Sequence, residues 1–191
     1  MADGIVTEPL VTPVDPSTKR MPFPVGDSWG QLIQALKPLP VKGSTKEIRV
    51  TVPGVLAASA YAANDQIGGV FPISNIVREH GGGGRVSHVM LWETTTQQIA
   101  ADIIFFKENL PAAADNAAAT WTDAVARENI AGGVHITDYF SLGANAFGKS
   151  TDGFDFQCKN NENSLYAAVI TRGAPTYGVG GLELIVVVIQ D

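Results

Sequence analysis

Lys46-Glu47-Ile48-Arg49-Val50-Thr51-Val52 alternates strictly between apolar and polar side chains. Successive side chains of an extended strand point to opposite faces, so a period of two marks a strand with one face on a core and one in water. The same period returns at Phe154-Asp155-Phe156-Gln157-Cys158-Lys159 and at Val134-His135-Ile136-Thr137. Gly69–Ile73, Arg85–Thr94, Ile99–Lys107, Leu165–Arg172 and Leu182–Ile189 are less polar and of strand length. Turn residues separate them: Ala63-Asn64-Asp65, Gly81 to Gly84, Gly143 to Gly148, Asn160 to Asn163 and Gly178 to Gly181. Eight or nine short strands at this spacing predict an all-β domain, an antiparallel β-sandwich or jelly roll, over residues 46–191. A short helix is expected at 123–130, with Thr122 as its N-cap and Gly132-Gly133 as its stop. The final strand is instructive. Leu182, Leu184, Val186 and Val188 share one face, and Ile185, Val187 and Ile189 share the other, with Glu183 as the sole charge. A strand apolar on both sides is covered on both sides, here by the domain core and by either the N-terminal segment or a neighbouring subunit.

Upstream of Lys46 the chain changes character. Seven of the 11 prolines (Pro9, Pro13, Pro16, Pro22, Pro24, Pro38 and Pro40) fall in the first 40 residues. Proline fixes φ and removes a backbone donor, so residues 1–26 read as an extended arm inside a 1–45 segment. Ser28 and Gln31 have the spacing of a capping box, and Trp29, Leu32, Ile33 and Leu36 then form one apolar stripe of a short helix near 28–37, ended by Lys37-Pro38. The arm also carries Ile5, Val6, Leu10, Val11, Val14, Met21, Phe23 and Val25, for which a solvated linker has no use. Either the arm packs on its own domain or it lies on a partner. The expected partner-contact set is Leu10, Val11, Val14, Met21, Phe23, Trp29, Leu32, Ile33 and Leu36.

Composition narrows the function classes. The 191 residues are 45% hydrophobic and 17% charged, enough apolar content for a core and too much for a disordered chain. The net charge of −6 argues against a nucleic-acid binder, which needs a Lys/Arg excess to neutralise phosphate. Residues 1–43 hold four acidic and four basic residues, so the remaining 15 acidic and 9 basic residues make the body carry the whole excess. A lone cysteine excludes an internal disulfide. Neither a signal peptide nor an apolar run of about 18 residues is present, so a soluble chain made in the cytoplasm is expected, without membrane contact.

The search for catalytic groups returns nothing convergent. His80, His88 and His135 lack the close spacing and acidic neighbours of a metal site. Cys158 falls in register with Phe154 and Phe156 and is expected to be a buried, inert thiol. Asp102, inside Ile99-Ala100-Ala101-Asp102-Ile103-Ile104-Phe105-Phe106, must be paired, hydrogen-bonded or at a strand edge, and a structural pairing is expected. The glycine runs open no helix and precede no Lys-Ser or Lys-Thr, so they are turns and not phosphate cradles. No enzyme, metal or cofactor is expected.

Asp102-Ile103-Ile104-Phe105-Phe106, Asn109-Leu110-Pro111 and Thr120-Trp121-Thr122-Asp123-Ala124 together resemble a block found in structural proteins of tailed bacteriophages. Leu165-Tyr166, Val169-Ile170-Thr171-Arg172-Gly173-Ala174-Pro175-Thr176-Tyr177 and the closing Val188-Ile189-Gln190-Asp191 extend the resemblance over residues 85–191. The chain departs from the pattern at Leu110, at Ala124 and at Ala126-Arg127-Glu128-Asn129. The resemblance implies a virion component of the jelly-roll cement or decoration type. Such a protein would bind and stabilise the shell of the major capsid protein, self-associate as a dimer or trimer, and thread a terminus over its neighbours. A second reading is a receptor-binding or carbohydrate-binding module of a head or tail fibre, with Trp121, Tyr139 and Tyr177 stacking on sugars.

Overall fold

The computed structural model describes residues 43–56 and 60–191. Within them stand eleven strands and one helix: β1 (Ser44–Thr51), β2 (Asp65–Ile73), β3 (Gly83–Glu93), β4 (Ala101–Phe106), β5 (Ala117–Ala118), α1 (Asp123–Asn129), β6 (Ile130–Ile136), β7 (Tyr139–Ser141), β8 (Ala146–Ser150), β9 (Phe154–Gln157), β10 (Leu165–Thr171) and β11 (Leu182–Gln190). Every paired neighbour is antiparallel. The first sheet runs β1-β11-β3-β8-β7, with β9 also on β3; the second runs β5-β2-β10-β4-β6. The described residues form an all-β sandwich.

The alternation of the strands makes the core. Val86, Val89, Leu91, Leu184, Val186 and Val188 come from the first sheet, and Ile67, Phe71, Ile103, Phe105, Val134, Ile136 and Val169 from the second. All are essentially removed from water. Each such side chain contributes about 1.5–3 kcal/mol relative to leaving it exposed. A second, smaller cluster covers the outside of the second sheet. There Phe106 and Ala168 pack with Leu110, Trp121 and Val125, which belong to the connection between β4 and β6. That cover is why β4 and β10 are apolar on both faces. Asp115 ties the same connection down: its Oδ1 accepts from Tyr61 Oη and Gly68 N, both at 2.7 Å, and its Oδ2 from Leu56 N at 2.9 Å.

Several boundaries differ from expectation. β1 begins at Ser44, so the body reaches two residues into the segment expected to be arm. β2 opens at Asp65, four residues before the apolar run. Thr122 caps α1 as expected, accepting from Val125 N. The helix nevertheless ends at Asn129, and the chain passes directly into β6. Gly132 and Gly133 are therefore strand residues, opposite Phe105 and Ile104, and not a helix stop. A Cβ on Gly132 would lie 2.4 Å from the Phe154 ring, so close packing sets this glycine. Likewise Gly83 and Gly84 open β3, and the run from Gly143 to Gly148 contains the start of β8. The arm, the helix near 28–37 and all nine expected partner-contact residues lie outside the described residues. Among the described residues no helix is long and apolar enough to cross a membrane.

Candidate docking face

Of the titratable groups singled out from the sequence, Asp102, His135 and His80 are engaged in hydrogen bonds. Asp102, on the outer side of β4, stands directly opposite His135 of β6. Its Oδ1 lies 2.6 Å from His135 Nδ1, and because a carboxylate only accepts, that nitrogen carries the proton. Its Oδ2 accepts from Arg172 Nε at 2.7 Å and also from Nη2. Arg172 Nη1 in turn donates to Asn64 Oδ1. Burial alone would push the Asp102 carboxyl up, but the bonds from Arg172 and His135 outweigh it and hold the group below the usual carboxylate value. His80 Nδ1 donates to Asn161 O at 2.8 Å. Cys158 is buried, as its register with Phe156 requires, and burial pushes its thiol up to about 11, away from the reactive thiolate. Among the described residues no three His, Cys, Asp or Glu side chains converge as metal ligands.

One polar group inside the sandwich was not visible as such in the sequence. Glu93 is fully buried at the end of β3. It accepts from Tyr177 Oη at 2.6 Å and from Gln98 N at 2.9 Å, and burial raises its pKa in spite of those bonds. Tyr177 is itself only 2% exposed, which removes it from the sugar-stacking set of the second reading. Tyr139 is half-buried and donates to Ile99 O at 2.8 Å. Trp121 lies against Phe106 with ring centroids 4.9 Å apart and donates to Pro111 O. None of the three presents a free aromatic platform.

Exposed aromatic surface lies elsewhere, on the outer face of the first sheet. A bulge between Val187 and Val188 of β11, across from His88 and Val86, resets the alternation of β3, so that Met90 and Trp92 turn outward and Val89 and Leu91 inward. Register then builds rows across the strands. Trp92 stands opposite Phe147 of β8, and Phe147 opposite Phe140 of β7. Met90 stands opposite Ile185, which faces Arg49 of β1 on its other side. Arg49, Met90, Trp92, Phe147 and Ile185 line a shallow hollow of about 180 Å³. The rings of the row are near-parallel: Trp92 and Phe147 are 6.3 Å apart at 5°, and Phe140 and Phe147 are 5.1 Å apart at 20°. Phe140 is 56% exposed, as is Leu142 just beyond it.

That geometry has a chemical preference. The ring planes run near-parallel along the row, as in offset aromatic packing. What remains outward is an apolar ridge with a hollow beside it, bordered by Arg49, Glu183 and Lys149. Contiguous exposed apolar surface with a polar rim marks an interaction site. The sequence held a signal for Trp92, since β3 is apolar at consecutive positions just as β11 is. Phe140 and Phe147 gave none, lying among residues with turn character. No protein-family model, curated protein or solved structure matches the chain.

Proposed function

We propose that this chain is a non-enzymatic structural protein of a tailed-phage virion, of the cement or decoration type, which fastens to the major capsid protein and stabilises its shell. The observation that carries this reading is the outward aromatic row Trp92–Phe147–Phe140 with its adjoining hollow. The occupant we assign to it is an apolar segment of a shell subunit. The resemblance of residues 85–191 to phage structural proteins supports the same reading.

Strand order adds support. Setting aside the short β5, β7 and β9, the principal strands lie as β1-β11-β3-β8 in one sheet and β2-β10-β4-β6 in the other. We read this as a jelly roll, the double-sheet arrangement that recurs in viral capsid domains. The N-terminal segment is assigned the second fastening role, with Leu10, Val11, Val14, Met21, Phe23, Trp29, Leu32, Ile33 and Leu36 as its apolar contacts. Ordering an extended arm costs about 1–2 kcal/mol per residue in backbone entropy, which repeated copies on a symmetric shell can offset through avidity.

Co-sedimentation of the full chain with capsid shells tests the reading. The Trp92→Ala, Phe140→Ala double variant is expected to weaken shell binding at least about tenfold, since aromatic anchors dominate interface energetics. Full occupancy by that variant would exclude this face as the attachment surface. Specific binding to a glycan array, with no binding to shells, would establish the fibre-module reading instead.

A further inference from the structure

β1 ends the first sheet among the described residues, and its geometry shows which of its backbone groups β11 leaves unpaired. Val52 N, just past the strand, donates to Leu182 O at 3.0 Å. Antiparallel ladders alternate, each second residue bonding to one side and the residues between to the other. Ser44, Lys46, Ile48 and Val50 thus aim their amides and carbonyls at β11. Thr45, Glu47, Arg49 and Thr51 aim theirs away from it, where no described strand stands.

Natural sheets blunt such edges with proline, bulges, shortness or inward-pointing charge. β1 has eight residues, no proline and an unbroken register with β11. Its one inward-side charge, Lys46, is already engaged, donating Nζ to Asn75 O at 2.8 Å. Ile48 and Val50, on the core side, are only half-buried. Among the described residues the edge is unpaired along its whole length, and its core-side residues are incompletely covered.

Its charge pattern is self-complementary. We infer that a second copy of this chain occupies the edge, pairing β1 with the partner's β1 antiparallel about a two-fold axis through Ile48. In that register Glu47 stands opposite the partner's Arg49, and Arg49 opposite the partner's Glu47. Thr45 stands opposite the partner's Thr51, and the two Ile48 side chains meet on the axis. Opposite charges and Thr–Thr pairs directly across a ladder are favourable, and like charges are not. Shifting the axis to Glu47 sets glutamate against glutamate, and shifting it to Arg49 sets arginine against arginine, so the charges select one register. Arg49 Nε already donates to Glu47 Oε1 at 2.7 Å within the strand, and its Nη1 lies 3.7 Å from Glu183 Oε2, so the three side chains form one network of alternating sign. The outward groups of the four residues close about eight main-chain hydrogen bonds across the axis. The first sheet becomes continuous through both copies, with their aromatic rows on its same outer face. This pairing rests on β1 alone and holds whether or not the protein binds a shell.

Sedimentation velocity and light scattering on the full chain over a range of concentrations test it. The wild-type chain is expected to form a dimer. Arg49→Glu or Glu47→Arg places like charges opposite each other twice and should raise the dissociation constant about tenfold or more. The E47R/R49E double variant restores opposite charges and should recover the dimer. Glu47→Pro removes an outward N–H that β11 does not use, so it should give a monomer that still unfolds in one cooperative transition. A wild-type monomer, a trimer, or a dimer indifferent to either single charge reversal would overturn the inference.

Discussion

Asp102 is tolerated in an apolar strand because three groups answer its two oxygens. His135 is brought to it by cross-strand register, and Arg172 arrives from the residue after β10, with Asn64 holding the far side of the guanidinium. The carboxyl group is depressed in the folded protein, so the folded state releases its proton more readily than the unfolded chain. The stabilisation is therefore fully present above the ordinary aspartate range near about 4 and is lost as the pH falls from there through the lower folded value. Asp102→Asn should cost about 1–3 kcal/mol at neutral pH, by leaving Arg172 and His135 short of a charged acceptor. Urea unfolding of both proteins should show the gap narrowing in acid, as the wild-type carboxyl protonates. A gap independent of pH would show that shape rather than charge holds the site. The need for a partner was legible from Asp102 and its neighbours alone. Which partners was not, because His135 and Arg172 are distant in the chain and meet it only through strand pairing.

Strands were legible wherever one face is polar. β1 and β9 announce themselves by strict alternation, and β11 by its length and its β-branched residues. β7 and β8 do not, because Phe140 and Phe147 sit among Gly143, Asn145 and Gly148, whose local preference is for turns. Tertiary pairing with β3 overrides that preference. Gly132 shows the same conflict, resolved by packing: it lies in β6 because the Phe154 ring of β9 occupies the space a side chain would take. Gly132→Ala should destabilise the protein by about 1–3 kcal/mol by overpacking, although alanine normally suits a strand better than glycine. Thermal unfolding would measure it. A neutral result would mean that β6 and β9 can separate without loss.

Among the described residues, the core of the sandwich is drawn from positions between Val52 and Val188, with Ile48 and Val50 packed against it. A chain lacking residues 1–40 should therefore keep a cooperative melt close to that of the full protein, yet fail to co-sediment with capsid shells. Circular dichroism and the sedimentation assay read the two properties separately. Full shell occupancy by the truncated protein would remove the fastening role assigned to the arm, and loss of the melt would show that the first forty residues complete the fold. The dimer expected at β1 would double the number of aromatic rows per particle and so strengthen attachment through effective concentration.

Amino-acid order alone determined that the body is all-β, where most strands run, that Thr122 caps a short helix and that Cys158 points inward. These are local properties: the direction of a side chain follows from the extended backbone on either side of it. Which strands neighbour each other, that Tyr177 is buried on Glu93, and that Trp92, Phe147 and Phe140 form one outward row were decided only in three dimensions. Cross-strand contacts join residues far apart along the chain, and the order of strands in a sheet is a global minimum of burial that no local pattern encodes.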